Sequence, residues 1–342
     1  MKRYFIAYIS LLMLWVTACK KIDVTGDEHT SDIRTIGDFI HNNYDLSLLS
    51  AALQQTGLLD SLNTDGPFTI WAPDNKAFND IGIKKPDDFD RMNRDSLRTA
   101  LKNLMLKDRL YTSVIPTQLD NRYACFGGMS SYISVGVIGT NADAFPTAFN
   151  GSLVYDVGKR NLGMKNGVIH ILKGVPKYNE RNTQEWLAAD TTLSIFVALL
   201  KKTNQWDALK TEGPFTIYAP VNDAFRNSQL TPDSIAKIDL ARYKPLAFNI
   251  YTLGLKPHHI LMNDMTVIGA TSARIDLGDG YSINPNPYGG FNVYAPGGKW
   301  NYHTPGGVDI ADGAKGRDIM TTNGVVNRIN NILLYPDSLL IK

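Results

Sequence analysis

Cysteine is scarce in this chain, with two among 342 residues, Cys19 and Cys125. So few thiols exclude zinc sites built from several thiolates. Charge of one sign is lacking too. Thirty-five Lys and Arg stand against 33 Asp and Glu, a net charge of +2. The basic residues are spread evenly, so no basic stripe marks a nucleic-acid groove and no nucleic-acid partner is expected. Beyond the N-terminus, no apolar run approaches the roughly 20 residues of a spanning helix. His-x-Glu patterns, nucleophile elbows and phosphate-cradling glycine loops are all missing, and no enzyme, metal or cofactor is expected. The six histidines do not repair this. His29 and His303 read as tether and loop residues, and His41 lies in a helical stretch. The neighbours His258 and His259, after Pro257, read as a turn whose side chains diverge. Asp276-Leu277-Gly278-Asp279-Gly280 and Asp309-Ile310-Ala311-Asp312-Gly313 lack the ligand alternation and closing Glu of a calcium loop, and read as turns.

The first eighteen residues are different. Lys2 and Arg3 precede an apolar run from Ile6 to Val16, the length of a signal-peptide core. It ends in Val16-Thr17-Ala18-Cys19, which resembles the bacterial lipobox. That resemblance implies cleavage before Cys19, a diacylglycerol on its thiol, and attachment to a cell envelope, the outer membrane being the expected site. With Cys19 acylated no intramolecular disulfide can form, and the fold must rest on its core. Cys125 then reads as a small buried apolar residue. Residues 19–32 are polar and without periodicity, a tether.

The strongest signal is internal duplication. Asp45–Phe78 aligns with Thr192–Phe225 at a constant offset of 147, with 18 of 34 positions identical. Gly66-Pro67-Phe68-Thr69-Ile70-Trp71-Ala72-Pro73 is matched by Gly213-Pro214-Phe215-Thr216-Ile217-Tyr218-Ala219-Pro220. A second echo pairs Asn166-Gly167-Val168-Ile169-His170 with Asn323-Gly324-Val325-Val326-Asn327, at an offset of 157. A period near 150 is domain-sized, so this is a duplicated domain and not a solenoid. Leu48, Leu49, Ala52 and Leu53 fall at helical spacing, as do Ile195, Phe196, Leu199 and Leu200. Asp45 and Thr192 suit the N-caps of those helices. Gly-Pro then breaks the chain, a strand follows, and Ala-Pro ends it. Asn75 and Asn222 suit a local turn. Tyr132–Ile138 and Val168–Leu172 read as strands, and alternation in the latter makes His170 a hydrogen-bonded structural residue. The composite is α+β.

These motifs resemble the fasciclin (FAS1) domain, whose first motif has the form Gly-Pro-Phe-Thr-x-Phe-Ala-Pro-Thr-Asn-x-Ala-Phe and whose second has the form Asn-Gly-Val-Val-His near the domain end. The resemblance implies two tandem wedge-shaped β-structures with surrounding helices, used in extracellular adhesion. The expected organisation is a signal peptide at 1–18, a tether at 19–32, a first domain at 33–178, a linker at 179–190 and a second domain at 191–342. Two departures stand out. The family's Tyr-His motif has no His in either copy, and Asn327 replaces the terminal His that the first copy keeps as His170. Asp318-Ile319-Met320 resembles a stretch that animal members use in integrin recognition, while Ile319 and Met320 also suit packing at the entry of a strand.

The second copy is longer between its anchors. The added length coincides with a Pro- and Gly-rich stretch, Asn284–Gly316, bearing Tyr288, Phe291, Tyr294, Trp300, Tyr302 and His303. Aromatic faces on loops can stack on sugars or protein partners, and they can also fold back on the core. The function expected is therefore a non-catalytic, lipid-anchored envelope protein for adhesion or protein–protein assembly, with an envelope or extracellular protein or glycan as partner. The alternative is a glycan-binding accessory lipoprotein of an outer-membrane carbohydrate-uptake system.

Overall fold

In the computed structural model, residues 33–136, 146–156, 158–255, 259–267, 274–285, 290–296 and 308–341 are described. Cys19, Tyr288, Trp300, Tyr302 and His303 lie outside them. Thr35–Lys342 forms one unit that contains both repeats.

The first repeat opens with α1 (Ile36–His41) and α2 (Ser47–Gln55). β1 (Phe68–Pro73), α3 (Asn75–Asp80), α4 (Arg94–Lys102) and β2 (Met105–Leu106) follow. Next come β3 (Asn121–Ala124), β4 (Ser130–Val135), β5 (Thr147–Phe149) and β6 (Ser152–Leu153), an antiparallel sheet in that order. β7 (Leu162–Met164) and β8 (Gly167–Leu172) complete a second sheet of order β2-β1-β8-β7. There the two sequence motifs lie side by side: β1 and β8 are parallel, with Phe68 opposite Gly167 and Trp71 opposite His170. A central parallel strand is covered on both faces, and all six residues of β8 are buried.

The chain then runs through β9 (Lys177–Tyr178) into α5 (Thr183–Ala189), α6 (Ser194–Lys202), β10 (Phe215–Pro220) and α7 (Asn222–Asn227). α8 (Pro232–Ala236), α9 (Leu246–Asn249) and α10 (Asp264–Val267) precede a hairpin sheet. Its strands are β11 (Ile275–Gly278), β12 (Tyr281–Pro285), β13 (Gly290–Tyr294) and β14 (Val308–Asp309). β15 (Ile319–Thr321) and β16 (Gly324–Ile329) close the repeat, β16 lying parallel to β10 with Phe215 opposite Gly324. The stretch 179–190, set apart above as a linker, carries α5, which stands 147 residues after α1 and packs on its own repeat's strand pair.

The shared residues are ties between distant segments. The Asn166 amide donates to Leu62 O and Thr64 O, both at 2.7 Å, and its oxygen accepts from Ile36 N–H at 2.9 Å. Asn323 repeats this with Leu209 O, Thr211 O and Thr183 N–H. Asn75 and Asn222 accept from Leu48 and Ile195 N–H and donate to Tyr44 O and Thr191 O. They therefore clamp the second helix of each repeat from about 30 residues away, in place of the local turn bonding expected of them. The glycines before both prolines are also explained. A Cβ on Gly66 would sit 2.0 Å from Asn166 O, and one on Gly213 would sit 1.9 Å from Asn323 O.

The caps differ from expectation. Asp45 and Thr192 lie inside 3-10 turns, Tyr44–Leu46 and Thr191–Leu193, capped by Asn43 and Asp190. Each α-helix grows directly out of its turn, so the cap sits one turn earlier.

In the first core, Trp71 is fully buried between Phe149 and His170, with ring centroids 4.7 Å and 4.3 Å away and near-parallel planes. Such pairs add about 0.5–1.5 kcal/mol each beyond area burial. His170 Nε2 donates to Leu110 O at 2.9 Å and Nδ1 accepts from Asn161 N–H at 3.3 Å, so the ring is held neutral. Burial is the main force pushing its pKa down to about 4. In the second repeat Tyr218 and Asn327 occupy these positions, and the Asn327 side chain accepts from Asp318 N–H at 2.8 Å.

Candidate functional site between the repeats

The two repeats meet along a polar seam that begins with β9. This two-residue strand ends the first repeat yet pairs parallel with β15, with Lys177 opposite Ile319 and Tyr178 opposite Met320. Tyr178 Oη reaches back to donate to Asn103 O at 2.9 Å, so one segment is stitched into both halves.

Opposite it, the segment from His259 to α10 leans on the β3–β4–β5–β6 sheet. His259 Nδ1–H donates to Asp120 Oδ1 at 2.9 Å, and its ring stacks on Tyr132 at 3.7 Å between centroids. At the expected turn, His259 makes a buried contact, because the Tyr132 face and the Asp120 carboxylate together satisfy both the apolar and the polar side of an imidazole. Ser134 Oγ donates to Asp264 Oδ1 at 2.7 Å, Leu261 N–H donates to Asp264 Oδ2, and Asn263 Nδ2 donates to Gly151 O at 2.6 Å. Gly151 has φ +77°, and a Cβ there would stand 2.7 Å from Asp318 Oδ2, so this close approach requires glycine.

Two titratable groups, Asp264 and Asp318, are buried at the seam, and a third, Lys177, is half-buried. Asp264 is displaced upward to about pKa 7, chiefly by burial, against the hydrogen bonds from Leu261 and Ser134. Asp318 is raised for the same reason, with Arg317 opposing. Its Oδ1 accepts from Met262 N–H at 2.9 Å and its Oδ2 from Arg317 Nε at 3.2 Å. Lys177 is pushed down to about 8 by burial, while Asp318 opposes the shift and Arg317 adds to it. Between β6, the Gly174–Lys177 segment and Arg317 lies a cleft of about 320 Å³, lined also by Lys173, Asp80 and Asp318. Among the described residues, no three His, Cys, Asp or Glu side chains gather as a metal site. The chemistry this arrangement offers is charge recognition and fixation of one repeat against the other.

Sequence comparison places the family. The fasciclin domain profile matches residues 44–175 and 191–246. The chain belongs to the fasciclin domain family. Human periostin is 28% identical over 200 residues, 58% of this chain and 22% of periostin. Drosophila fasciclin-1 is 23% identical over 293 residues, 83% of this chain and 43% of that protein. The fasciclin pair described here therefore spans less than half the length of either relative. A solved FAS1 domain pair from the insect cell adhesion molecule fasciclin I is 20% identical and covers 86% of this chain and 98% of its own, at a TM-score of 0.39.

The residues singled out from the sequence are placed unevenly in this fasciclin pair. Phe291 lies on β13, buried, with its ring 4.7 Å from Tyr218 in an edge-on contact. It packs inward because its strand's alternate side chains, Phe291 and Val293, face the second core. Tyr294 is half-buried on the same strand with the Arg274 guanidinium 3.6 Å above its ring. Asp318 is buried with both oxygens engaged, and Ile319 and Met320 are buried beside it. Cys125 is free and buried, and burial pushes its thiol up to about 11. Lys177, Asp264 and Arg317 were not singled out, and His259 was read only as part of a turn. Their partners across the seam lie 130 to 140 residues away, and no local spacing announces them.

Proposed function

We propose that this protein is a non-catalytic cell-envelope lipoprotein, held to the membrane through an acylated Cys19, that works in adhesion or protein–protein assembly through its fasciclin pair. The observation that carries the reading is the coincidence of a lipobox-like Val16-Thr17-Ala18-Cys19 with a duplicated fasciclin domain. The tether at 19–32 sets the pair off from the bilayer, and the outer membrane is the proposed site. Membership of the fasciclin family supports the adhesion reading, and so does a seam that fixes two repeats against each other. Such a seam presents one preformed surface, which lowers the ordering cost of engaging a partner. Fractionation tests the anchor: Cys19→Ala moves the protein from the membrane to the soluble fraction, and unchanged partitioning refutes it.

A further inference from the structure

The cleft between the repeats holds more positive charge than the seam uses. Its two acids are already paired: Asp80 with Lys76 at 2.6 Å, and Asp318 with Arg317 Nε at 3.2 Å, its other oxygen accepting from Met262 N–H. Its cations are not satisfied to the same degree. Lys177 Nζ donates to a neutral group, Arg317 O, at 2.6 Å, and forms no ion pair among the described residues. Arg317 Nη2 is buried and finds no acceptor among the described residues. Lys173 is exposed at the edge, its Nζ 5.1 Å from the Tyr155 ring. A buried guanidinium nitrogen without an acceptor costs free energy, and so does a half-buried ammonium whose hydrogen bond goes to a neutral carbonyl. An oxyanion relieves both, because a guanidinium fork and an ammonium together match the oxygens of a carboxylate or phosphate.

We propose that this cleft is a binding site for a small oxyanion, a carboxylate or phosphate borne on a ligand no larger than about a monosaccharide, gripped by Arg317 and Lys177 with Lys173 at the edge. The volume of about 320 Å³ sets the size limit. Lys173 and Lys177 come from the end of the first repeat and Arg317 from the second, so an occupant bridges the two and stabilises the pair by mass action.

The site goes beyond the adhesion reading and does not rest on it, so its test reads small-molecule binding directly and not attachment. The full chain in detergent is titrated by calorimetry at neutral pH with sodium glucuronate, with inorganic phosphate, and with glucose as the neutral control. One or both anions bind, at one per chain, and glucose does not. Glucuronate alone identifies a carboxylate ligand and phosphate alone a phosphate ligand. Arg317→Gln and Lys177→Gln each weaken binding about tenfold or more, as loss of one charge-assisted contact requires. Lys173→Glu lies on an exposed side chain and leaves folding intact, and it weakens binding about fivefold by reversing a charge at the edge. Heat from neither anion at about 10 mM overturns the site, since an affinity below that is weaker than about 3 kcal/mol. Binding that Lys173→Glu leaves unchanged overturns it as well, whether or not the buried variants fold.

Discussion

His170→Asn places in the first repeat the residue that the second repeat carries as Asn327. In the native protein, burial holds the His170 pKa at about 4, while the unfolded chain titrates near 6.5. The unfolded state therefore binds the proton first as pH falls, and folding loses stability from about pH 6.5 down to about 4. Linkage gives about 2 kcal/mol of that loss at pH 5 and almost none at pH 7.5. Asn does not titrate, so the variant lacks this component while sharing every other group, including Asp264 and Asp318. Denaturant unfolding of both proteins, followed by tryptophan fluorescence because Trp71 stacks on His170, measures the gap at the two pH values. The wild-type advantage shrinks by about 2 kcal/mol on going to pH 5. A gap constant to within about 0.5 kcal/mol refutes the assignment of a neutral, desolvated His170.

Three further outcomes follow from the same physics. Asp264, raised to about 7, destabilises the native state progressively as pH rises from about 4 to 7. Asp264→Asn keeps an acceptor and removes the charge, so relative to wild type it gains about 3 kcal/mol between pH 5 and pH 8 in the same unfolding assay. Asn166→Ala removes three hydrogen bonds, to Leu62 O, Thr64 O and Ile36 N–H, and lowers stability by about 3 kcal/mol in equilibrium denaturation. Cys125, buried with its thiol raised to about 11, reacts with iodoacetamide in denaturant and resists it in native buffer over the same interval, as mass spectrometry reads.

The duplicated motifs were legible because each repeat solves the same local problem twice. Gly66 and Gly213 must let one backbone approach another, and Asn166 and Asn323 must tie three segments together, so the residues recur at fixed spacing. The α+β character followed from the helical spacing of Leu48 to Leu53 and the Phe68–Pro73 strand. Other features lay beyond sequence reasoning for identifiable reasons. Asn75 reads as a local turn former until its partners, Leu48 and Tyr44, are seen across the fold. Phe291 looks like a loop aromatic in a Pro- and Gly-rich stretch, but strand alternation turns it onto Tyr218. The seam was the least legible. His259 with Asp120, and Ser134 with Asp264, join residues 139 and 130 positions apart, and a single chain without an internal counterpart carries no trace of such pairing.

Attachment of whole cells tests the account most directly. A strain lacking this protein is complemented with the wild-type chain or with Cys19→Ala, and cell–surface and cell–cell attachment are counted under flow. Wild type restores attachment, while Cys19→Ala accumulates as a folded, unanchored protein and does not. Equal attachment in the deletion strain and both complemented strains would contradict an envelope-anchored adhesion role.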